Sequence, residues 1–333
     1  MPKVLITQEF IDAALDELEG EDVEVDVRPS AEPMPYEELV SAVGGYDAVL
    51  SLLTDRIDEA LLDANPQLRV VANCAVGFDN IDVAAATDRG VAVLHTPGVL
   101  TNATADLAMT LLLAVARRVP EGDAFMRAGS YRYWRLRQEQ LGLDVTGQDL
   151  GIFGLGKIGR AVAAKAQGGF DMRVRYHDAF RLPEEQEREL GVEYVSFDEL
   201  IATSDFLSIH APLTPETRHA VGAEQFEAMK DSSVLINTAR GPIVDEAALV
   251  EALRSGQIAG AGLDVYEYEP EMVEGLGQIT ARVVLLPHLG SATENTRLEM
   301  ARLSASGIRK VLAGERPGNI VNPEALERRK EQP

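Results

Sequence analysis

Leu150-Gly151-Ile152-Phe153-Gly154-Leu155-Gly156-Lys157-Ile158-Gly159-Arg160 decides how this chain is read. An apolar run enters a Gly-x-Gly-x-x-Gly turn, and a helix-forming segment, Ala161 to Gln167, leaves it. Gly154 allows a sharp turn at the strand end, Gly156 lets backbone approach a pyrophosphate, and Gly159 lets the next helix pack close to the strand. That helix aims its free N–H groups and positive dipole end at the phosphates. The motif by itself is weak, because many turns contain glycine; its surroundings make it specific. A second strand-like run, Met172 to His177, ends in Asp178, 19 positions after Gly159. That is close to the ~20 expected of an acid that holds an adenosine ribose. A strand-end turn residue is the plainer reading of Asp178, but the glycines at the right distance favour the ribose. An acid there repels a 2′-phosphate, so NADH is expected over NADPH. Arg175 and Arg181 lie near enough in sequence to leave NADP open.

The 333 residues suggest two domains. No apolar run approaches the ~20 residues that span a bilayer, and Met1-Pro2-Lys3-Val4-Leu5-Ile6 enters a strand pattern directly rather than forming a signal peptide. Cys74 is the only cysteine, which fits a reducing cytoplasm and reads as a small buried hydrophobe. Lys and Arg number 31 against 54 Asp and Glu, for a formal charge of −23. Nucleic acid and anionic membranes are therefore not expected partners. The acids are spread along the chain, which fits either an ordinary acidic cytosolic protein or a surface suited to high salt.

In chain order, strands are expected at Val4–Ile6, Val23–Val27, Ala48–Leu53, Leu68–Asn73 and Val91–His95. Helices are expected at Gln8–Leu18, Tyr36–Val43, Ile57–Leu62 and Ile81–Arg89. This alternation is the pattern of parallel βα units, so the first hundred residues form one doubly wound unit without a glycine fingerprint of its own. Asn102–Arg118 reads as a helix crossing to a second unit. Gly122–Gln148, with Tyr131, Tyr133, Trp134 and several arginines, reads as a partly helical arm whose composition suits a subunit interface. Beyond it the expected strands are Gly151–Phe153, Arg173–His177, Glu193–Val195, Phe206–His210, Val234–Asn237, Gly260–Val265 and Val283–Leu286. Leu298–Leu312 reads as a last amphipathic helix, and Pro323–Pro333 as a loose charged tail. No repeat and no metal-ligand spacing is present.

Three segments place titratable residues after strand ends: Asn237-Thr238-Ala239-Arg240-Gly241, Gly262 to Pro270 and Leu286 to Thr293. Ligands of open parallel sheets bind beyond the carboxyl ends of the strands, so Arg240, Glu269 and His288 can share one crevice. The set fits reduction of a 2-oxo acid. Arg offers a bidentate fork to a carboxylate. Hydride arriving at a carbonyl carbon leaves an alkoxide, and His can supply its proton near neutral pH. A neighbouring carboxylate favours imidazolium and orients the ring; Glu269 is the candidate, and Asp264 could do the same or steady the loop. Taken singly, each residue has a plainer reading as a cap, a solvated acid or a loop histidine. His95, His177, His210 and His219 lack such partners in sequence and read as structural or surface residues, with His210 in a loop lining the cofactor.

These segments resemble the D-isomer-specific 2-hydroxyacid dehydrogenase family, from about Lys3 to Asn322. The resemblance is carried by Val71 to Asp82, Thr96 to Thr101, Ala105 to Ala108 and the motifs above. Within the family the sequence is most similar to glyoxylate/hydroxypyruvate reductases. The resemblance implies two Rossmann-like domains with an interdomain cleft: a discontinuous, flavodoxin-like substrate domain (1–100 plus 297–333) and a dinucleotide domain (101–296) with a dimerisation arm near 120–148. It implies Arg240, Glu269 and His288 as catalytic residues, with a substrate site at Leu53, Val76, Gly77, Arg240 and His288. It places the cofactor on Thr104, Gly154, Leu155, Gly156, Lys157, Ile158, Gly159, Asp178, His210, Pro212, Thr238, Ala239, Arg240, Asp264, His288 and Gly290. It also implies a homodimer joined through the nucleotide domain. NADPH-using relatives tend to lack an acid at the Asp178 position.

The expected function is thus NADH-dependent reduction of a small 2-oxo acid of glyoxylate or hydroxypyruvate type to the D-2-hydroxy acid. Phosphoglycerate or D-lactate dehydrogenation is the near alternative, although Arg56 is the only basic residue close to Leu52–Thr54. A dinucleotide-sensing, corepressor-like binding protein is the alternative of another class.

Overall fold

Apolar runs such as Ala48–Ser51, Val70–Asn73, Phe206–Ile209 and Val234–Asn237 form short strands buried on both faces, as the inner strands of parallel sheets covered by helices require, whereas the edge run Glu24–Val27 is only partly buried. The computed structural model describes residues 1–18 and 22–331. It divides into unit 1, Met1–Leu100 with Thr293–Pro333, and unit 2, Thr101–Ala292.

Unit 1 holds β1 (Lys3–Ile6), β2 (Glu24–Val27), β3 (Ala48–Ser51), β4 (Val70–Asn73) and β5 (Ala92–Leu94). All pair in parallel in the order β2-β1-β3-β4-β5. This is the doubly wound order whose direction reverses beside β1. The helix Glu294–Leu312 starts four residues earlier than its apolar pattern indicates, because the Thr293 side chain accepts from the Thr296 N–H and caps it. Two expectations are corrected here. Leu52 and Leu53 lie outside β3: the Asp55 carboxylate accepts from the Leu52 N–H (2.8 Å) and from Thr7 Oγ1 (2.5 Å), pulling the chain into a turn. The tail is not loose over its described length. Ala325–Glu331 is a helix with Ala325 fully buried, and the Arg329 guanidinium donates to the carbonyls of Leu68 (2.6 Å) and Gln67 (3.0 Å).

Unit 2 holds β6 (Asp149–Phe153), β7 (Arg173–His177), β8 (Val192–Tyr194), β9 (Phe206–Ile209), β10 (Val234–Asn237), β11 (Gly260–Leu263) and β12 (Val283–Leu285). They pair in parallel in the order β12-β11-β10-β9-β6-β7-β8. The direction of winding reverses between β6 and β9, the place where such sheets receive ligands. The helix Thr101–Ala116 buries Leu111, Leu112 and Val115 in a core with Ile152, Val174, Val234 and Ile236. In the arm only Val119–Arg127 is helical. Its remainder is irregular and is anchored where the Leu143 N–H donates to the Ala116 carbonyl and Arg282 Nη2 donates to the Leu141 carbonyl. No helix among the described residues is long and apolar enough to cross a membrane.

Candidate active site

The glycine turn follows β6 at the switch point. Gly154 has φ +96°, and a Cβ there would come within 2.4 Å of the Ala211 backbone nitrogen. This close approach puts the His210–Pro212 segment against the turn. A Cβ at Gly159 would lie 2.3 Å from the Gly154 carbonyl oxygen, so the helix Lys157–Phe170 can pack on the turn only without one. A Cβ at Gly156, by contrast, meets no protein atom within 4 Å. Lys157 and Ile158 open the helix behind it. Asp178, at the end of β7, turns toward the same place: its carboxylate accepts from the Leu155 N–H at 2.7 Å and from the Phe180 N–H at 3.0 Å. Thr238 Oγ1 is buried with no hydrogen-bond partner among the described residues. The open face at Gly156, the tethered acid and this orphaned hydroxyl suit a dinucleotide.

The three segments with titratable residues leave β10, β11 and β12, which are neighbours in the sheet. The Asn237 side chain shapes the first, accepting from the Ala239 N–H at 3.0 Å and donating to the Arg240 carbonyl at 2.9 Å. Arg240 sits on this turn in extended conformation. In the third segment His288 has φ +55°, a strained value for a non-glycine residue. Asp264 over-determines it. Its carbonyl accepts from the His288 N–H (2.9 Å), and its two carboxylate oxygens accept from the N–H groups of Leu289 (2.6 Å) and Gly290 (2.7 Å). Thr104 Oγ1 adds a bond to the Gly290 carbonyl at 3.0 Å. Of the two acids that could partner the histidine, Asp264 is therefore committed to the loop, and Glu269 takes the ring: Oε2 lies 2.9 Å from His288 Nδ1.

Burial pushes the Glu269 carboxyl up, but the hydrogen bond and charge of His288, the Tyr266 N–H (3.0 Å) and the charge of Arg240 outweigh it, so it titrates below the usual glutamate range. Burial raises Asp264, against the pull of its backbone donors and His288. His210, whose Nε2 lies 2.9 Å from Ser208 Oγ, is pushed by burial down to about 4 and is neutral at pH 7. The Pro212 carbonyl accepts from Thr217 Oγ1 at 2.7 Å.

The fold also reveals partners that the sequence hid. His219 does have a carboxylate neighbour, contrary to expectation: its Nε2 lies 2.7 Å from Glu267 Oε1, at the surface. Glu246 looks like an ordinary first-turn acid of the helix Glu246–Ser255. It is 2% exposed and accepts from the N–H groups of Glu267 (2.7 Å) and Val273 (3.1 Å), so it clasps both ends of the segment that carries Glu269. Its neighbour Asp245 caps that helix, accepting from the Ala248 N–H at 3.0 Å. Leu53, Val76 and Gly77 belong to unit 1. The Leu53 side chain is exposed, and Val76 and Gly77 lie in the turn after β4.

Residues 109–290 match the family description "D-isomer specific 2-hydroxyacid dehydrogenase, NAD binding domain". The chain is 46% identical over 325 residues to a glyoxylate reductase of Korarchaeum cryptofilum, covering 98% of this chain and 97% of that protein. This chain belongs to the D-isomer-specific 2-hydroxyacid dehydrogenase family. Its fold matches a solved Thermus thermophilus protein with a TM-score of 0.89 at 43% identity, covering 96% of this dehydrogenase and 99% of that chain. It also matches the NADPH-dependent glyoxylate/hydroxypyruvate reductase of Sinorhizobium meliloti, solved with NADP and malonate, with a TM-score of 0.85 at 33% identity, covering 97% and 98%. The dehydrogenase is an NAD(P)-dependent oxidoreductase with a nicotinamide dinucleotide site in unit 2.

Proposed function

We propose that this dehydrogenase reduces glyoxylate, hydroxypyruvate or a similar small 2-oxo acid to the D-2-hydroxy acid, with NADH preferred over NADPH. The observation that carries the reading is the His288–Glu269 pair, 2.9 Å apart on segments that leave adjacent strands, beside the turn that bears Arg240. Bound NADH supplies the hydride. His288 gives up a proton from Nε2, because Nδ1 is engaged by Glu269; the glutamate orients the ring and stabilises the imidazolium. Arg240 binds the substrate carboxylate as a planar fork. Within unit 1, the backbone N–H groups at Val76 and Gly77 are assigned to a substrate carboxylate and Leu53 to a substrate side chain. The turn Gly154–Gly159 would hold the pyrophosphate, and Thr104, His210, Pro212, Thr238, Ala239, Asp264 and Gly290 would frame the rest of the cofactor.

The cofactor preference is supported by charge placement. Asp178 is fixed beside the glycine turn, where it meets a ribose diol and repels a 2′-phosphate. The two nearby arginines have acid partners: Arg181 donates two hydrogen bonds of 3.0 Å each to the Glu187 carboxylate, and Arg175 faces Glu193 at 3.4 Å and Asp149 at 3.7 Å. A non-phosphorylated substrate is supported by Arg56, which pairs with Asp58 at 2.7 Å and stacks on the Tyr36 ring at 5.1 Å. Exposed Tyr133, Trp134 and Leu136 on the arm support a homodimer formed through unit 2, and the single cysteine supports a cytoplasmic location.

Loss of NADH absorbance on mixing the protein with glyoxylate or hydroxypyruvate tests the proposal, with pyruvate, phosphohydroxypyruvate and NADPH as comparators. The expected result is turnover with a small unphosphorylated 2-oxo acid and a higher kcat/KM for NADH than for NADPH. No turnover with any of these acids, at low or high salt, overturns the proposed substrate class.

A further inference from the structure

The turn after β4, in unit 1, is held by two side chains and one backbone N–H that no catalytic step uses. Three successive carbonyls are captured. The Ala75 carbonyl accepts from the Thr96 N–H at 2.8 Å, the Val76 carbonyl from His95 Nδ1 at 2.9 Å, and the Gly77 carbonyl from Asn73 Nδ2 at 2.8 Å. A carbonyl can only accept, so Nδ1 of His95 carries the proton in this contact. The imidazole is further fixed by the Phe78 ring, edge-on at 5.6 Å. In a planar trans peptide, the N–H points opposite to the C=O of the same unit. Tying these three carbonyls therefore turns the N–H groups of Val76, Gly77 and Phe78 the other way. Among the described residues of unit 1, none of the three has a hydrogen-bond acceptor. Successive unpaired backbone N–H groups of this kind favour an anion.

Asn80 ties this turn to the neighbouring loop. Its Oδ1 accepts from Asn73 Nδ2 at 3.1 Å, and its Nδ2 donates to the carbonyls of Asp55 (2.8 Å) and Leu52 (3.3 Å). One side chain thus links the segment that carries Leu53 to the segment that carries Val76 and Gly77.

We propose that His95, Asn73 and Asn80 are positioning residues for the substrate: they aim the backbone N–H groups of residues 76–78 at its carboxylate and fix the Leu52–Asp55 loop at the same spacing. This rests on the 2-oxo acid reading above, and it adds Phe78 to the backbone donors and gives His95 a role. The variants His95→Ala, His95→Asn and Asn80→Asp test it. His95→Ala frees the Val76 carbonyl, whereas the Asn amide nitrogen stands where Nδ1 was and restores the donor. Asn80→Asp keeps shape but sets a carboxylate against two carbonyls. KM for the 2-oxo acid should rise about tenfold or more in His95→Ala and Asn80→Asp, as for loss of hydrogen bonding to a charged group. KM for NADH should not change, and His95→Asn should stay near wild type. A general structural role would instead leave KM of the folded fraction unchanged, or make His95→Ala and His95→Asn fail alike; either result overturns the proposal. Amide hydrogen exchange on the wild-type protein with NAD, with and without oxalate, is independent of turnover. Slower exchange over residues 76–78 with oxalate supports the anion seat, and unchanged exchange overturns it. If the wild type reduces no 2-oxo acid, the functional reading fails, and the exchange result alone decides whether the turn binds a carboxylate.

Discussion

Glu269 is the residue at which geometry and electrostatics meet most directly. Its two oxygens do different jobs: Oε1 accepts from the Tyr266 N–H and Oε2 engages His288. Glu269→Gln keeps the shape and removes the charge, so kcat for 2-oxo acid reduction should fall by about tenfold to a hundredfold while NADH still binds. Stability carries a second signature. The folded carboxyl titrates below its ordinary value of 4.5. Above 4.5 its stabilising contribution is fully present; as pH falls through the lower folded value, the unfolded state takes up the proton first and the contribution is lost. Wild type should therefore lose more melting temperature than Glu269→Gln as pH falls from 4.5 to the lower folded value, and parallel profiles over that window would contradict the assignment. At this scale the Glu269–His288 pair and the placement of Arg240 after a neighbouring strand were legible, because each residue follows a strand-like run in a chain with a glycine fingerprint. Glu246 and the His219–Glu267 pair were not legible, since their partners depend on how the 266–273 segment folds back. The framing of the 75–78 turn by His95 and Asn73 was hidden for the same reason.

At the scale of elements, alternating apolar runs and helix-forming segments predicted every strand of both sheets, within two residues at most ends. Errors arose where a single polar contact outweighs local pattern. Leu52-Leu53 is apolar enough to extend β3, yet the Asp55 carboxylate draws Leu52 out of the sheet. The terminal helix has only Ala325 and Leu326 as apolar cues. Its anchors, the carbonyls of Gln67 and Leu68, lie more than 250 positions away in sequence, beyond any local reading. The arm is the element whose surface is least explained by unit 2 alone: Trp134 and Leu136 are 69% and 80% exposed. Isolated large apolar residues are ordinary, but a run of them beside Tyr131 and Tyr133 is the feature that supports the proposed homodimer. Trp134→Ser combined with Leu136→Ser should shift the protein from dimer toward monomer in light scattering, without unfolding unit 2. A wild type that is monomeric at micromolar concentration would contradict the dimer.

The whole molecule carries a formal charge of −23. Its ion pairs are mostly at the surface, where each contributes about 0–1 kcal/mol. Self-repulsion among the excess acids is then the larger long-range effect, and salt relieves it as the Debye length falls from about 10 Å at 0.1 M to about 3 Å at 1 M. Melting temperature should rise between these KCl concentrations; a fall would mean that screened ion pairs outweigh relieved repulsion. The central claim, however, concerns a proton. Kinetics and NADH binding of His288→Ala test it most directly. The account predicts a loss of kcat of about a hundredfold or more, the scale of general acid catalysis, with the dissociation constant for NADH unchanged. Wild-type turnover in that variant would contradict it.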